Sequence, residues 1–372
     1  MEVIDTDAHV EEWAETFSDK YLEEPFRARR PQIITSNKRP YWLVEDNVLP
    51  KIFGRGCYFF ATPTGYGSTI NETAATKPET YESQELRDVK ARLRDMDKEK
   101  IDLQVIYPTL FVCAYSLTSD PQLEAALYRS YNSWMADVVS QEARLRWVAI
   151  VTLTDVGAAS AEVRRAKQLG AIGVMTLGTV LDQQLDEPQF DPFYSLLEEL
   201  NLPLAVHVGW SSPSLTNLFS YNFASLSYPF RAGVHMAFVH MVGGGVFDRH
   251  PKLKVGYFEA GISWVPYFLD VMDTYAKLKL RKPGIPAMEY RAQLRPIDYV
   301  RSGQLYFSAE EPETLFAASV DVVGEDTLLW ASDIPHADRD PDALREFLEG
   351  PILTDAQKQK MLSTNARRFY GL

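Results

Sequence analysis

Eight short apolar, β-branched runs recur along the chain, each followed by a segment with helical spacing. They fall at residues 2–5, 103–107, 147–152, 172–176, 204–208, 254–258, 305–308 and 327–331. The intervening stretches at 122–140 and 158–169 are amphipathic, and the second runs into Gly170, the expected helix stop. Continuously apolar strands separated by helices predict a parallel sheet covered on both faces. Eight such units fit an α/β (β/α)8 TIM barrel better than an open doubly wound sheet. An open sheet would normally carry a glycine-rich phosphate loop after strand 1, and here that place holds Asp7-Ala8-His9. A single barrel domain over residues 1–372 is expected, with one break in the rhythm. Residues 11–83 form a long insertion after strand 1, rich in turn residues and in aromatics: Tyr41, Trp42, Tyr58, Phe59, Phe60 and Tyr66. Loops of this length are usually functional or disordered, and the aromatic content argues against disorder. A lid or wall over a site and an oligomer contact are the two readings.

With 38 Lys and Arg against 51 Asp and Glu, the net charge of −13 argues against nucleic acid or an anionic membrane surface as partner. Two cysteines, Cys57 and Cys113, are too few for a disulfide framework. No basic–apolar leader opens the chain, and no apolar run reaches the roughly 18 residues of a membrane span. A cytoplasmic enzyme acting on a small molecule is the expectation.

Chemistry in such barrels sits at the C-terminal ends of the strands. Asp7 and His9, at i and i+2, share one face of strand 1. Strand 5 carries His207 in an apolar run, strand 6 ends in Glu259, and strand 7 runs into Glu310 and Glu311. Strand 8 ends in Asp333, with His336 three residues on. Each has a structural reading alone: His207 a core histidine, Asp333 a helix cap, Glu310 and Glu311 loop charges. Together they place carboxylates and imidazoles at several equivalent positions, a costly burial unless a cation compensates it. Asp7, His9, His207 and Asp333 form a mixed nitrogen–oxygen set suited to Zn²⁺, Mn²⁺ or Fe²⁺. His235 and His240 lie five apart on a helix and share no face well, so they are read as structural.

Several stretches together resemble the amidohydrolase superfamily, in its family 2 branch related to aminocarboxymuconate semialdehyde decarboxylase. They are Val3-Ile4-Asp5-Thr6-Asp7-Ala8-His9, Gly244-Gly245-Val246-Phe247-Asp248-Arg249-His250-Pro251, Glu259-Ala260-Gly261-Ile262-Ser263-Trp264-Val265-Pro266 and Ala331-Ser332-Asp333-Ile334-Pro335-His336. The closing Asn365-Ala366-Arg367-Arg368-Phe369-Tyr370-Gly371-Leu372 looks like the family's last helix. The resemblance implies a metal-dependent barrel with Asp7, His9, His207 and Asp333 as ligands. Zn²⁺ is the first expectation and Mn²⁺ the second. The family's usual first histidine is Asp7 here, and Glu259 stands where related decarboxylases carry a strand 6 histidine. Binuclear members carry a carbamylated lysine at the end of strand 4, and Ile172-Gly173-Val174-Met175-Thr176-Leu177-Gly178 has no lysine, so one metal is expected.

Because of Glu259, the preferred reading is hydrolysis of a C–N or C–O bond by a metal-activated water, with Asp333, His336 and Glu259 as catalytic groups. The alternative is non-oxidative decarboxylation of an aromatic or unsaturated acid; a distant third is an inactive binding barrel. Arg231 and Trp210 are expected to contact substrate, though Arg231 reads equally as a helix-start charge. The family also implies a homodimer, with the insertion or residues 277–282 as contacts.

Overall fold

In a computed structural model the chain is described over residues 1–59, 62–66, 69–140, 142–281, 289–310 and 313–372. Phe60, Glu311, Lys282 and the Tyr66 side chain lie outside the described residues. Eight strands pair in chain order, all parallel: β1 (Ile4–Val10), β2 (Leu103–Pro108), β3 (Leu145–Ile150), β4 (Gly173–Leu177), β5 (Leu204–His207), β6 (Val255–Phe258), β7 (Leu305–Ala309) and β8 (Leu328–Trp330). Asp333 N–H donates to Asp7 O at 3.0 Å, His9 N–H to Ile334 O at 2.6 Å and Thr6 Oγ1 to Trp330 O at 2.8 Å. These bonds join β8 to β1, so the sheet is the expected α/β barrel. Each strand is buried nearly throughout because helices cover its outer face. Aspartates start three of those helices: Asp88, Asp120 and Asp155 cap Val89–Glu99, Pro121–Val139 and Val156–Gln168 by accepting first-turn N–H groups.

One departure from simple alternation matters for the site. Strand β1 runs to Val10, five residues beyond the expected end, and its register against β2 slips between Asp5 and Ala8. Asp5 faces Gln104 and Ala8 faces Ile106, so β1 spends three steps where β2 spends two. Such a bulge reverses the parity of the residues after it. Ile4 therefore packs inside the barrel with Val105, Val148 and Phe258, while Ala8 and Val10 join the outer core. Asp7 and His9 are left facing inward.

The barrel interior is filled from the other end by the C-terminal helix Asn365–Tyr370. Phe369 packs on Phe258 and Tyr306, and Tyr370 Oη donates to Thr6 O at 3.0 Å. The insertion forms a three-stranded antiparallel sheet (Gln32–Ser36, Arg39–Val44, Asn47–Leu49), a short strand pair and the helix Glu72–Thr76.

Candidate metal centre and active site

His9 and His207 present their ring nitrogens unequally. His9 Nδ1 lies 3.0 Å from Pro108 O, and His207 Nδ1 lies 2.9 Å from Val208 O. A backbone carbonyl only accepts, so each Nδ1 carries the proton and each Nε2 offers a lone pair. That is the tautomer a metal ligand needs, fixed by a second hydrogen bond. The two free nitrogens converge on Asp7: His9 Nε2 is 3.3 Å from Asp7 Oδ1, and His207 Nε2 is 3.4 Å from Asp7 Oδ2. Asp333 Oδ1 stands 3.4 Å from His9 Nε2, and Glu259 Oε2 stands 3.3 Å from His207 Nε2.

Both added carboxylates leave their strand ends through strained backbone. Glu259 has φ 58° and Asp333 φ 56°, the left-handed region that side chains with a Cβ seldom occupy. Hydrogen bonds hold them there: Glu259 N–H donates to Ser308 Oγ at 2.9 Å, and Asp333 N–H to Asp7 O.

Electrostatics describe a cluster short of positive charge. Burial pushes the Asp333 carboxyl well above the usual range, as do the negative Asp338 and Asp7. Burial and Asp333 do the same to Glu259. Burial also works against an ionised Asp7, but His207 and His9 beside it hold it well below the usual range. His9 is pushed down to about 3 by burial and by His336, whereas His207, despite burial, is held up to about 9 by Asp7 and Glu259.

Both oxygens of Asp7, the two Nε2 atoms and Asp333 Oδ1 are fully buried, and no well-formed hydrogen bond reaches any of them among the described residues. Orphaned lone pairs of this kind are costly in an apolar interior. The donor set fits a divalent cation: Asp7, His9 and His207 form one group whose ligand atoms lie within 4.8 Å of one another, and His9, Glu259, Asp333 and His336 form a second. A cation among them would reverse the charge preferences just described.

His336 extends the cluster outward. Its Nδ1 is 2.7 Å from Asp333 Oδ1 and its Nε2 is 2.9 Å from Thr109 Oγ1. Burial lowers it to about 4. His336 and Thr109 border a cavity of ≈ 160 Å³ whose other walls come from the insertion, including Tyr41, Phe59, Glu11 and Lys77. The insertion thus walls the site, and its aromatic run divides: Phe59 lines the cavity, whereas Tyr58 is buried against Trp210.

The remaining expectations sort by contact. Trp210 is fully buried, packs on Tyr58 and Phe230 and donates its indole N–H to Ser225 Oγ at 2.7 Å. Arg231 donates to Leu226 O, and its charge reaches Glu310, whose carboxyl burial and Asp333 raise. His235 packs at a tilt against Trp264 and Phe268, and His240 pairs with Asp186, so neither joins the cluster. Thr109, Glu11 and Lys77 were not singled out from the sequence. Thr109 just past β2 and Glu11 two residues beyond His9 could have been found by position; Lys77, deep in the insertion, had no local signal.

Residues 4–372 match the family profile described as Amidohydrolase. The chain belongs to that family. Its relatives include the gamma-resorcylate decarboxylase of Polaromonas sp., 24% identical over 297 residues that cover 76% of this chain and 86% of the relative. They also include the 2-amino-3-carboxymuconate-6-semialdehyde decarboxylase of Dictyostelium discoideum, 24% identical over 295 residues covering 77% of each. Among solved structures, the 5-carboxyvanillate decarboxylase of Novosphingobium aromaticivorans, with bound manganese, superposes with a TM-score of 0.71 at 20% identity, over 100% of this chain and 97% of that one. The expected family branch holds, and this chain is an enzyme of that family. The relatives are decarboxylases, which favours the alternative of the sequence reading over hydrolysis.

Proposed function

We propose that this protein is a metal-dependent carboxy-lyase that removes CO₂ from an aromatic carboxylic acid. One observation carries the reading: buried, unsatisfied Asp7, His9, His207 and Asp333 adjoin the Asp333–His336 pair at the foot of a cavity walled by Tyr41 and Phe59. The first four residues would hold the ion, with Glu259 beside them. When bound, a divalent ion supplies Lewis-acid stabilisation of negative charge on the substrate's oxygens. Manganese is the proposed ion in place of zinc, because it occupies the related 5-carboxyvanillate decarboxylase and because a carboxylate-rich set suits it.

Decarboxylation of an aromatic acid needs a proton delivered to the carbon that carries the carboxylate. The C–C electron pair then returns to the ring and CO₂ departs. Asp333 is the proposed proton donor, since its carboxyl stands between the ligand cluster and His336 at the edge of the cavity. His336, 2.7 Å away, is placed to orient that carboxyl and exchange the proton, with Thr109 fixing the far side of its ring. Glu259 is proposed to orient His207 and the substrate, and Arg231 to meet a substrate carboxylate from the side of Glu310. Phe59, Pro40 and Ile52 give the cavity an apolar lining against which a planar ring would pack.

The test is product analysis. Manganese-loaded protein is incubated with hydroxybenzoates and with matching amides, and CO₂ and amine are measured. CO₂ release from at least one acid is expected; amine release without CO₂ would return the assignment to hydrolysis.

A further inference from the structure

Lys77 ends the insertion's helix Glu72–Thr76, and its ammonium donates to Glu11 Oε1 at 2.8 Å. Both side chains are more than nine-tenths buried, at 7% and 9% exposed. An ammonium carries three donors, and among the described residues Lys77 Nζ meets no acceptor other than Glu11. A buried cation with two unspent N–H bonds is costly unless something further accepts from it. Both residues line the cavity that reaches His336, on the same wall system as Thr109 and Phe59.

The placement is braced from two sides. Glu11 follows β1 two residues after His9, and its N–H donates to Gln84 O at 2.9 Å, so its backbone is held beside the ligand cluster. Two residues past Lys77, Glu79 is buried in an ion pair with Arg339, which lies three residues past His336. The insertion segment carrying Lys77 is thereby tied to the loop carrying His336. Charge-assisted bonds from an ammonium suit a carboxylate, and the apolar Pro40, Ile52 and Phe59 that line the same cavity suit a ring. We infer that Lys77 is a specificity-determining residue that receives a second carboxylate of the substrate, with Glu11 as its positioning residue. This rests on the decarboxylase reading and narrows the substrate class to aromatic dicarboxylates, one group leaving as CO₂ and the other remaining at Lys77.

The test is calorimetric binding of benzoate and benzene-1,3-dicarboxylate to the full-length, manganese-loaded protein, with CO₂ release from the hydroxybenzoate panel measured in parallel. Wild type is expected to bind the dicarboxylate at least about tenfold more tightly than benzoate, as a charge-assisted pair implies. Lys77→Met should reduce that preference to within about twofold, the ratio of the two affinities being the readout, and Lys77→Arg should retain most of it. Should Lys77→Met not fold because Glu11 is left unpaired, the double variant Lys77→Gln/Glu11→Gln removes both charges and serves the same comparison. A wild type that binds both acids equally, or a Lys77 variant that keeps the preference, overturns the inference while CO₂ release upholds the decarboxylase reading. A wild type that binds neither acid and releases no CO₂ overturns both.

Discussion

At the scale of single residues, Asp7 and Asp333 are both buried carboxylates facing His9, yet their neighbours push them in opposite directions. Asp7 lies between two imidazoles and is held ionised, whereas Asp333 faces other acids and is held towards its protonated form. Different outcomes follow when each is made an amide. Asp7→Asn loses a ligand that touches both histidines, so bound metal, read by elemental analysis, should fall by about tenfold or more. Asp333→Asn should keep the fold and lower kcat by about 10²–10⁴-fold, the usual worth of a positioned acid, with a further loss of bound metal because Asp333 is also a proposed ligand. Of the six histidines, the three at strand ends or just beyond, His9, His207 and His336, come together in the candidate site. Their positions were legible because a barrel's C-terminal strand ends can be counted along the chain. Thr109, just past β2, occupies such a position too, but its role shows only in the contact with His336, 227 residues away.

Among the elements, all eight strands were legible from apolar runs bounded by turn residues, and only their ends moved. The exception with consequences is β1, where the bulge between Asp5 and Ala8 turns Asp7 and His9 inward. Nothing in an isolated strand's alternation announces an extra residue, since the slip exists only relative to β2. The insertion's attachment was equally hidden, because it depends on the buried Arg339–Glu79 pair linking it to the loop after β8. Removing one partner of a buried pair strands the other, so Arg339→Met should cost about 3–5 kcal/mol in urea unfolding. Adding Glu79→Gln to that variant should recover part of the loss.

A second tie joins the chain's ends: Arg367, in the C-terminal helix, hydrogen-bonds Glu2 and holds its carboxyl down at about 2, from 4.5. A depressed carboxylate contributes stability above pH 4.5 that is lost as pH falls through about 2. The pair is partly exposed, so Glu2→Gln should cost less than about 1 kcal/mol at neutral pH. The difference from wild type in thermal melts should shrink as pH drops from 4.5 towards 2.

For the whole molecule, the barrel spends its stability on a site that cannot be satisfied by protein alone. The interior is packed from the C-terminal helix up to Tyr107, which stacks under His207, and above that level the lone pairs of Asp7, His9, His207 and Asp333 begin. An ion that binds the folded chain and not the unfolded one raises its stability by mass action. Chelation should therefore lower the melting temperature of wild type reversibly and that of Asp7→Asn much less.

The most direct test is the metal content of the purified full-length protein, measured by elemental analysis alongside its melting temperature. The account predicts about one divalent ion per chain, lost on chelation together with thermal stability and regained with added manganese. Protein without stoichiometric metal, whose melting temperature ignores both chelator and manganese, would contradict it.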